Sequence, residues 1–169
     1  ISGWTTTAGT GNGDNTVHTA TIVYAADGDY TFAISAKDKA GNTNEAVNYG
    51  NSQAPTAFTI DKTVPVISIT YDNNDFANEN YYKADRTATI SILEHNFDAS
   101  RVAVTITATD NGQPVNVPAI SNWSKSGDTY TATVNYSVDA LYTFDISYSD
   151  KAQNEAVDFA QQSFYVDKT

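Results

Sequence analysis

The sequence predicts an all-β protein built from Greek-key β-sandwich modules, and three observations carry that prediction. A thirteen-residue stretch occurs twice, as Tyr142-Thr-Phe-Asp-Ile-Ser-Tyr-Ser-Asp-Lys-Ala-Gln-Asn154 and as Tyr30-Thr-Phe-Ala-Ile-Ser-Ala-Lys-Asp-Lys-Ala-Gly-Asn42. Within it apolar residues alternate with polar ones: Tyr142, Phe144, Ile146 and Tyr148 fall on one face, Thr143, Asp145, Ser147 and Ser149 on the other. A period of two is the signature of a strand with one buried face. Composition agrees, because Thr, Asn, Tyr and Val are frequent while Leu occurs only as Leu93 and Leu141, a balance that favours strands.

Taken in order, the elements repeat. Ile1-Ser-Gly-Trp4 matches Ile120-Ser-Asn-Trp123, and His18-Thr-Ala-Thr-Ile-Val-Tyr24 matches Tyr130-Thr-Ala-Thr-Val-Asn-Tyr136. Asp27-Gly-Asp-Tyr30 parallels Asp139-Ala-Leu-Tyr142, and Ile60-Asp-Lys-Thr63 parallels Val166-Asp-Lys-Thr169. The spacing differs only in loops, where a repeated fold tolerates length changes. Pro65 opens a strand over 66–71, as suits an edge strand, and a polar loop is expected over 72–85. Strands follow over 87–93, with Ala88, Ile90 and Ile92 on one face, and over 102–108, with Val102, Val104, Ile106 and Ala108 on one face. Asp110-Asn-Gly112 signals a hairpin. A short strand is expected over 115–117, then strands over 129–136, 142–149 and 163–167. About seven short strands in roughly 100 residues predict a Greek-key sandwich.

Residues 64–169 therefore read as one complete module. Residues 1–63 match only its rear half, without counterparts of the first three strands. Half a sandwich leaves an apolar face and open edges. The missing strands are expected either to lie beyond the stretch in hand or to come from another copy by swapping or complementation.

The formal charge is −11, from 20 acidic and 9 basic residues. Such a surface repels phosphate backbones and argues against nucleic-acid binding. The absence of Cys excludes disulfides and thiolate metal sites. No apolar run reaches the roughly 20 residues that span a bilayer, so no membrane contact is expected of this stretch. No leader-like segment opens it, so a secreted protein would carry targeting and anchoring segments elsewhere. A catalytic role is not expected. The two histidines, His18 and His95, come with no nucleophile elbow and no glycine-rich phosphate loop.

Tyr142, preceded by the acidic turn at Asp139, resembles the tyrosine corner of immunoglobulin-like domains, and Phe144 stands where an antibody domain has its second Cys. Asp61-Lys-Thr-Val-Pro65, Glu94-His-Asn-Phe-Asp98 and Asp38-Lys-Ala-Gly-Asn42 are similar to the bacterial immunoglobulin-like (Big-type) modules of Gram-positive surface proteins. The resemblance implies an immunoglobulin-like sandwich in tandem modules, extracellular and wall-attached, with neighbouring modules of the same chain as partners. It implies a spacer or adhesin stalk; the alternatives are direct binding of a host protein such as an immunoglobulin, and glycan binding. Gln153, where the first copy has Gly41, departs from the pattern, and the second turn is expected to be either tighter in conformation or differently built.

Three sets of residues are candidates for binding. Asp72-Asn-Asn-Asp75 with Asn78 and Glu79 forms one oxygen-rich loop. The fold implied by the resemblance gathers a second set, Asp27, Asp29, Asp61, Glu94, Asp98, Asp150 and Glu155, at the module junction. Either set reads as solvated turns made by Asx side chains or as a Ca²⁺ cage of hard oxygen ligands, which at the junction would stiffen a string of modules. No other cofactor is expected. The third set is aromatic. Phe76, Tyr81 and Tyr82 in the expected 72–85 loop are the candidate binding face, with Tyr49 and Phe159 as further unplaced rings; core packing is the competing reading. A Lys–Asn isopeptide crosslink is disfavoured, since the lysines fall in turns and loops.

Overall fold

The computed structural model describes residues 1–9, 16–43 and 57–169. The chain divides into two units, Ile1–Asp61 and Lys62–Thr169.

The first unit holds β1 (Thr5–Thr7), β2 (Val17–Thr19), β3 (Gly28–Thr31) and β4 (Ala57–Ile60). They form two antiparallel pairs, β1 with β2 and β3 with β4.

The second unit begins with β5 (Val66–Tyr71), β6 (Phe76–Asn78), β7 (Tyr81–Tyr82) and β8 (Arg86–Leu93). A single 3₁₀ turn, Ala99–Arg101, leads to β9 (Val102–Asp110), and β10 (Gln113–Pro114) and β11 (Ser124–Ser126) follow. The last strands are β12 (Thr129–Tyr136), β13 (Ala140–Tyr148) and β14 (Gln162–Val166). One sheet has the order β11-β12-β8-β5 and the other β10-β9-β13-β14-β7-β6. The two pack over a common core, giving an all-β, sandwich-like unit. Ala88, Ile90 and Ile92 of β8 and Val134 and Tyr136 of β12 supply one inner face. Tyr142, Phe144, Ile146 and Tyr148 of β13 with Phe164 and Val166 of β14 supply the other. The alternation expected of 142–148 is thus realised, each inward residue being buried.

Two expected elements are corrected. The stretch 72–85 is not a plain loop, since β6 and β7 form there and β7 runs parallel to β14, pairing Tyr81 with Tyr165 and Tyr82 with Val166. No strand forms over 115–117. β10 lies earlier, folded onto β9 by Asn111 (φ 47°) and Gly112 (φ 77°), the two left-handed residues of a tight hairpin turn. Val115 then donates its amide to Ala108 O at 3.0 Å and packs against the core outside any strand.

The corner and the turn of the duplicated motif are built alike in both copies. Tyr142 Oη donates to Val138 O and Tyr30 Oη to Ala26 O, each at 2.8 Å, the bond expected of a tyrosine corner. Ser121 bridges to Thr133 through its amide and hydroxyl at 2.9 and 2.8 Å, as Ser2 does to Thr21 at 2.7 and 2.8 Å. In the turn after β13 both Asp150 carboxylate oxygens accept from Asn154, from its amide at 2.8 Å and Nδ2 at 2.7 Å. Asp38 holds Asn42 in the same way at 2.7 and 2.8 Å. The turn at Gln153 is therefore not built differently. Gln153 takes φ 70° where Gly41 takes φ 93°, and the aspartate–asparagine clasp holds it there.

Candidate functional site

The turn after β8 and the turn after β13 come together at one end of the second unit. Phe97 stacks on Tyr130 at 4.2 Å and packs against Trp123 and Tyr148. The Tyr148 hydroxyl accepts from the Asp98 amide at 3.1 Å. These contacts pin the 94–98 turn beside the end of β13 and so place Glu94 next to Asp150.

Asp61, the residue immediately preceding the second unit, completes the cluster. Asp61, Glu94 and Asp150 each offer a carboxylate oxygen, and these lie within 4.8 Å of one another. Glu94 is 5 % exposed and Asp150 fully buried. The asparagine clasp fixes Asp150, the Asn96 amide donates to Glu94 Oε1 at 2.7 Å, and Arg101 Nη1 donates to the Asp150 carbonyl at 3.1 Å. Like charges crowded where water is scarce repel strongly, and a cation relieves that repulsion. Opposed oxygens on one Ca²⁺ are about 4.6–5.2 Å apart, so the observed spread fits a shared divalent ion. Each carboxylate oxygen has a second lone pair beyond the one its hydrogen bond uses, so the clasp orients the donors without consuming them.

The other expected junction residues fall outside this cluster. Asp98 caps the 3₁₀ turn, accepting from Ser100 Oγ at 2.7 Å and the Ser100 amide at 3.0 Å. These bonds, aided by Lys151 and Arg101, hold its carboxyl below the usual range. Glu155 is exposed and bridges to Ser149. Asp27 and Asp29 are exposed residues of the first unit, and Asp29 Oδ1 accepts from Thr59 Oγ1 at 2.6 Å.

The 72–75 cluster follows the turn reading. Asp72 Oδ1 accepts from the Thr87 amide at 2.6 Å, a bond that lowers its pKa. Asn73 Oδ1 accepts from the Asp75 amide, and Asn74 Nδ2 donates to Tyr71 O.

The expected aromatic face is split. Tyr82 is buried in the core, so it presents no binding surface. Tyr81 stacks on Tyr165 at 4.2 Å with the rings nearly parallel. Phe76 is 59 % exposed and meets Tyr82 in a T-shaped contact. Phe159 is half-buried against Phe144, and Tyr49 lies outside the described residues. His18 sits on exposed β2, sharing a hydrogen bond with Thr6, and His95 meets Asp128 at 3.2 Å.

Sequence reasoning missed Arg86. Its guanidinium is buried, lying 3.7 Å from the Tyr71 ring centroid, 4.1 Å from Tyr82 and 4.6 Å from Phe164. Its Nε donates to Asn73 O at 2.9 Å. An Arg ending an Asn- and Asp-rich stretch reads as solvated; only the aromatic cage assembled by β5, β7 and β14 explains it.

Compared with protein-family models, curated proteins and solved structures, the chain matches none.

Proposed function

We propose that the chain is a non-catalytic extracellular portion of a bacterial surface protein, made of tandem immunoglobulin-like Greek-key modules and acting as a spacer or adhesin stalk. The observation that carries this reading is where the chain enters and leaves the second unit. Val66 opens β5 opposite Leu93, at the end where the 94–98 turn meets Tyr148. The exit after Val166 lies opposite Ala140, at the other end of β13. Entry and exit at opposite ends let like units follow one another along a line. The immunoglobulin-like assignment is supported by the two sheet orders and the tyrosine corner at Tyr142; tandem modules are supported by the hydrogen-bond sets common to both copies. In this reading Asp61, Glu94 and Asp150 bind Ca²⁺ where the chain enters the module.

The test is retention of host serum and mucus proteins on the immobilised chain, with calcium and with chelator. A spacer retains nothing in either buffer, whereas one reproducibly retained protein assigns the chain to direct host binding. The cation site is tested by thermal unfolding. Calcium at one hundred times its Kd stabilises by about 2.7 kcal/mol, and Glu94→Gln with Asp61→Asn abolishes that gain. An unchanged melting temperature in calcium would remove the cation from the reading and leave the spacer standing.

A further inference from the structure

Tyr81 and Tyr165 stand directly opposite each other where β7 pairs with β14. Opposite residues of a parallel pair leave the sheet in the same direction, so their rings lie flat on one another, 4.2 Å between centroids and 2° from parallel. Their hydroxyls fall side by side and share a hydrogen bond. Other tyrosine pairs meet at steep angles. Tyr136 and Tyr142 lie 4.9 Å apart at 63°, and Tyr24 and Tyr30 lie 4.8 Å apart at 64°. The stacked pair also reaches solvent. Tyr81 is 36 % exposed and Tyr165 half-buried, whereas Tyr136 and Tyr142 are at most 1 % exposed.

This arrangement has a chemical use under oxidation. The chain has neither Cys nor Met, the residues whose sulfur oxidises most readily, so its oxidisable side chains are Tyr and Trp. Desolvation, and then the hydrogen bond with Tyr165, push the Tyr81 phenol up, so it gives up its proton together with its electron. The resulting phenoxyl radical carries spin on its oxygen and on the Cε carbons beside it, in an orbital perpendicular to the ring. Stacked rings aim these orbitals at each other, and adjacent hydroxyls bring the flanking Cε carbons together. Rings that meet edge to face turn one such orbital away from the partner.

We infer that Tyr81 and Tyr165 are an oxidative cross-linking site, where a one-electron oxidant such as a haem peroxidase supplied with hydrogen peroxide joins them as a dityrosine. The two phenols release two electrons and two protons, which reduce one hydrogen peroxide to two waters. The two radicals combine in a Cε–Cε bond. The hydrogen on each joined carbon is then exchanged for one on its oxygen, which restores both phenols. The bond links positions about 80 residues apart and confines the unfolded chain as a disulfide does, in a chain that can form no disulfide.

The full chain is treated with haem peroxidase and hydrogen peroxide and mapped by mass spectrometry. The expected product is a monomer lighter by two hydrogens, with dityrosine fluorescence and with the Tyr81 and Tyr165 peptides joined. Because the structure already holds the pair together, its yield is expected to be the same at every dilution of the protein. Tyr81→Phe and Tyr165→Phe, which keep the stacked rings, are each expected to abolish this product, while Tyr24→Phe leaves it. The joined chain is expected to melt about 10 °C above the untreated chain. Oxidation without joining, joining at other tyrosines, coupling only between molecules, or the same product from either seam variant would overturn the inference. A joined chain that melts no higher would overturn its role as a staple.

Discussion

Two turns that differ in sequence only at Gly41 against Gln153, Asp38-Lys-Ala-Gly-Asn42 and Asp150-Lys-Ala-Gln-Asn154, have the same hydrogen bonds yet different surroundings. Asp150 is fully buried, while the whole first turn is exposed. The tyrosine corners repeat this contrast, and so do the rings around them. Tyr24 meets Tyr30 and Phe58 as Tyr136 meets Tyr142 and Phe164, yet the first set is half-buried and the second at most 2 % exposed. Turn, corner and ring geometry are thus local properties, set by residues close in sequence or in adjacent strands. Burial is not local; it needs the sheet partners β5, β8 and β9, which have no counterpart among the described residues of the first unit. The free energy of such a module resides largely in the second kind of interaction.

Truncating the equivalent rings sharpens the contrast most. Phe164→Ala is expected to cost about 3–5 kcal/mol by opening a cavity in a closed core. Phe58→Ala should cost well under half of that, since its ring is only half-buried; chemical denaturation of each variant measures both. Equal costs would mean that the first unit is as well covered as the second. Next in size is the clasp. Asp150→Ala leaves two half-buried Asn154 donors without their acceptors, a loss of about 1–3 kcal/mol, whereas Asp38→Ala leaves Asn42 to water and changes melting little. The left-handed turn position follows. Gln153→Gly relieves the cost of a non-glycine residue at positive φ and is expected to stabilise by about 1 kcal/mol, and Gly41→Gln to destabilise by a similar amount. The smallest effect is in pH. The Asp38 carboxyl titrates below its ordinary value of 3.8, chiefly because of the Asn42 side-chain bond and then the Asn42 amide. A folded-state pKa below the unfolded one gives stability that is present above pH 3.8 and lost as the pH falls below it. The Asn42 amide resonance, followed by NMR, is therefore expected to shift only below that pH. A midpoint at or above 3.8 would show that the clasp does not hold in solution.

Much of the fold was legible because its cues are periodic. The inward positions of β8, β12 and β13 follow from alternation alone, and the Asp-Asn-Gly hairpin from its backbone requirement. Phe76–Asn78 and Tyr81–Tyr82 were not legible as strands. They are too short to show a period and stand among turn-forming Asn and Asp, and β14, the partner that ties β7 into the sheet, is some 80 residues away, so long-range pairing overrides local preference. Of the candidate junction acids, Glu94 and Asp150 are brought together because each follows a strand that ends at the same end of the second unit, and Asp61 stands on the chain just ahead of that unit. Asp98 is diverted by its own capping bond with Ser100, a local competitor that a charge count does not reveal. Arg86 was hidden for the opposite reason, since its aromatic surroundings come from three separate segments.

The short seam between β7 and β14 has a mechanical consequence. The two strands are parallel, and they are tied by Tyr165 N to Asn80 O at 2.9 Å, Asp167 N to Tyr82 O at 2.9 Å and Asn80 Nδ2 to Ser163 O at 3.0 Å. β14 leads out of the unit at one end, and the chain ahead of β7 leads back to the entry at the other. A pull on the two ends therefore slides one strand along the other, and the ties resist together instead of parting one after another as they would in a peeled hairpin. Tension applied along the chain is borne by this seam together with the β5–β8 ladder that lies between the entry and β7.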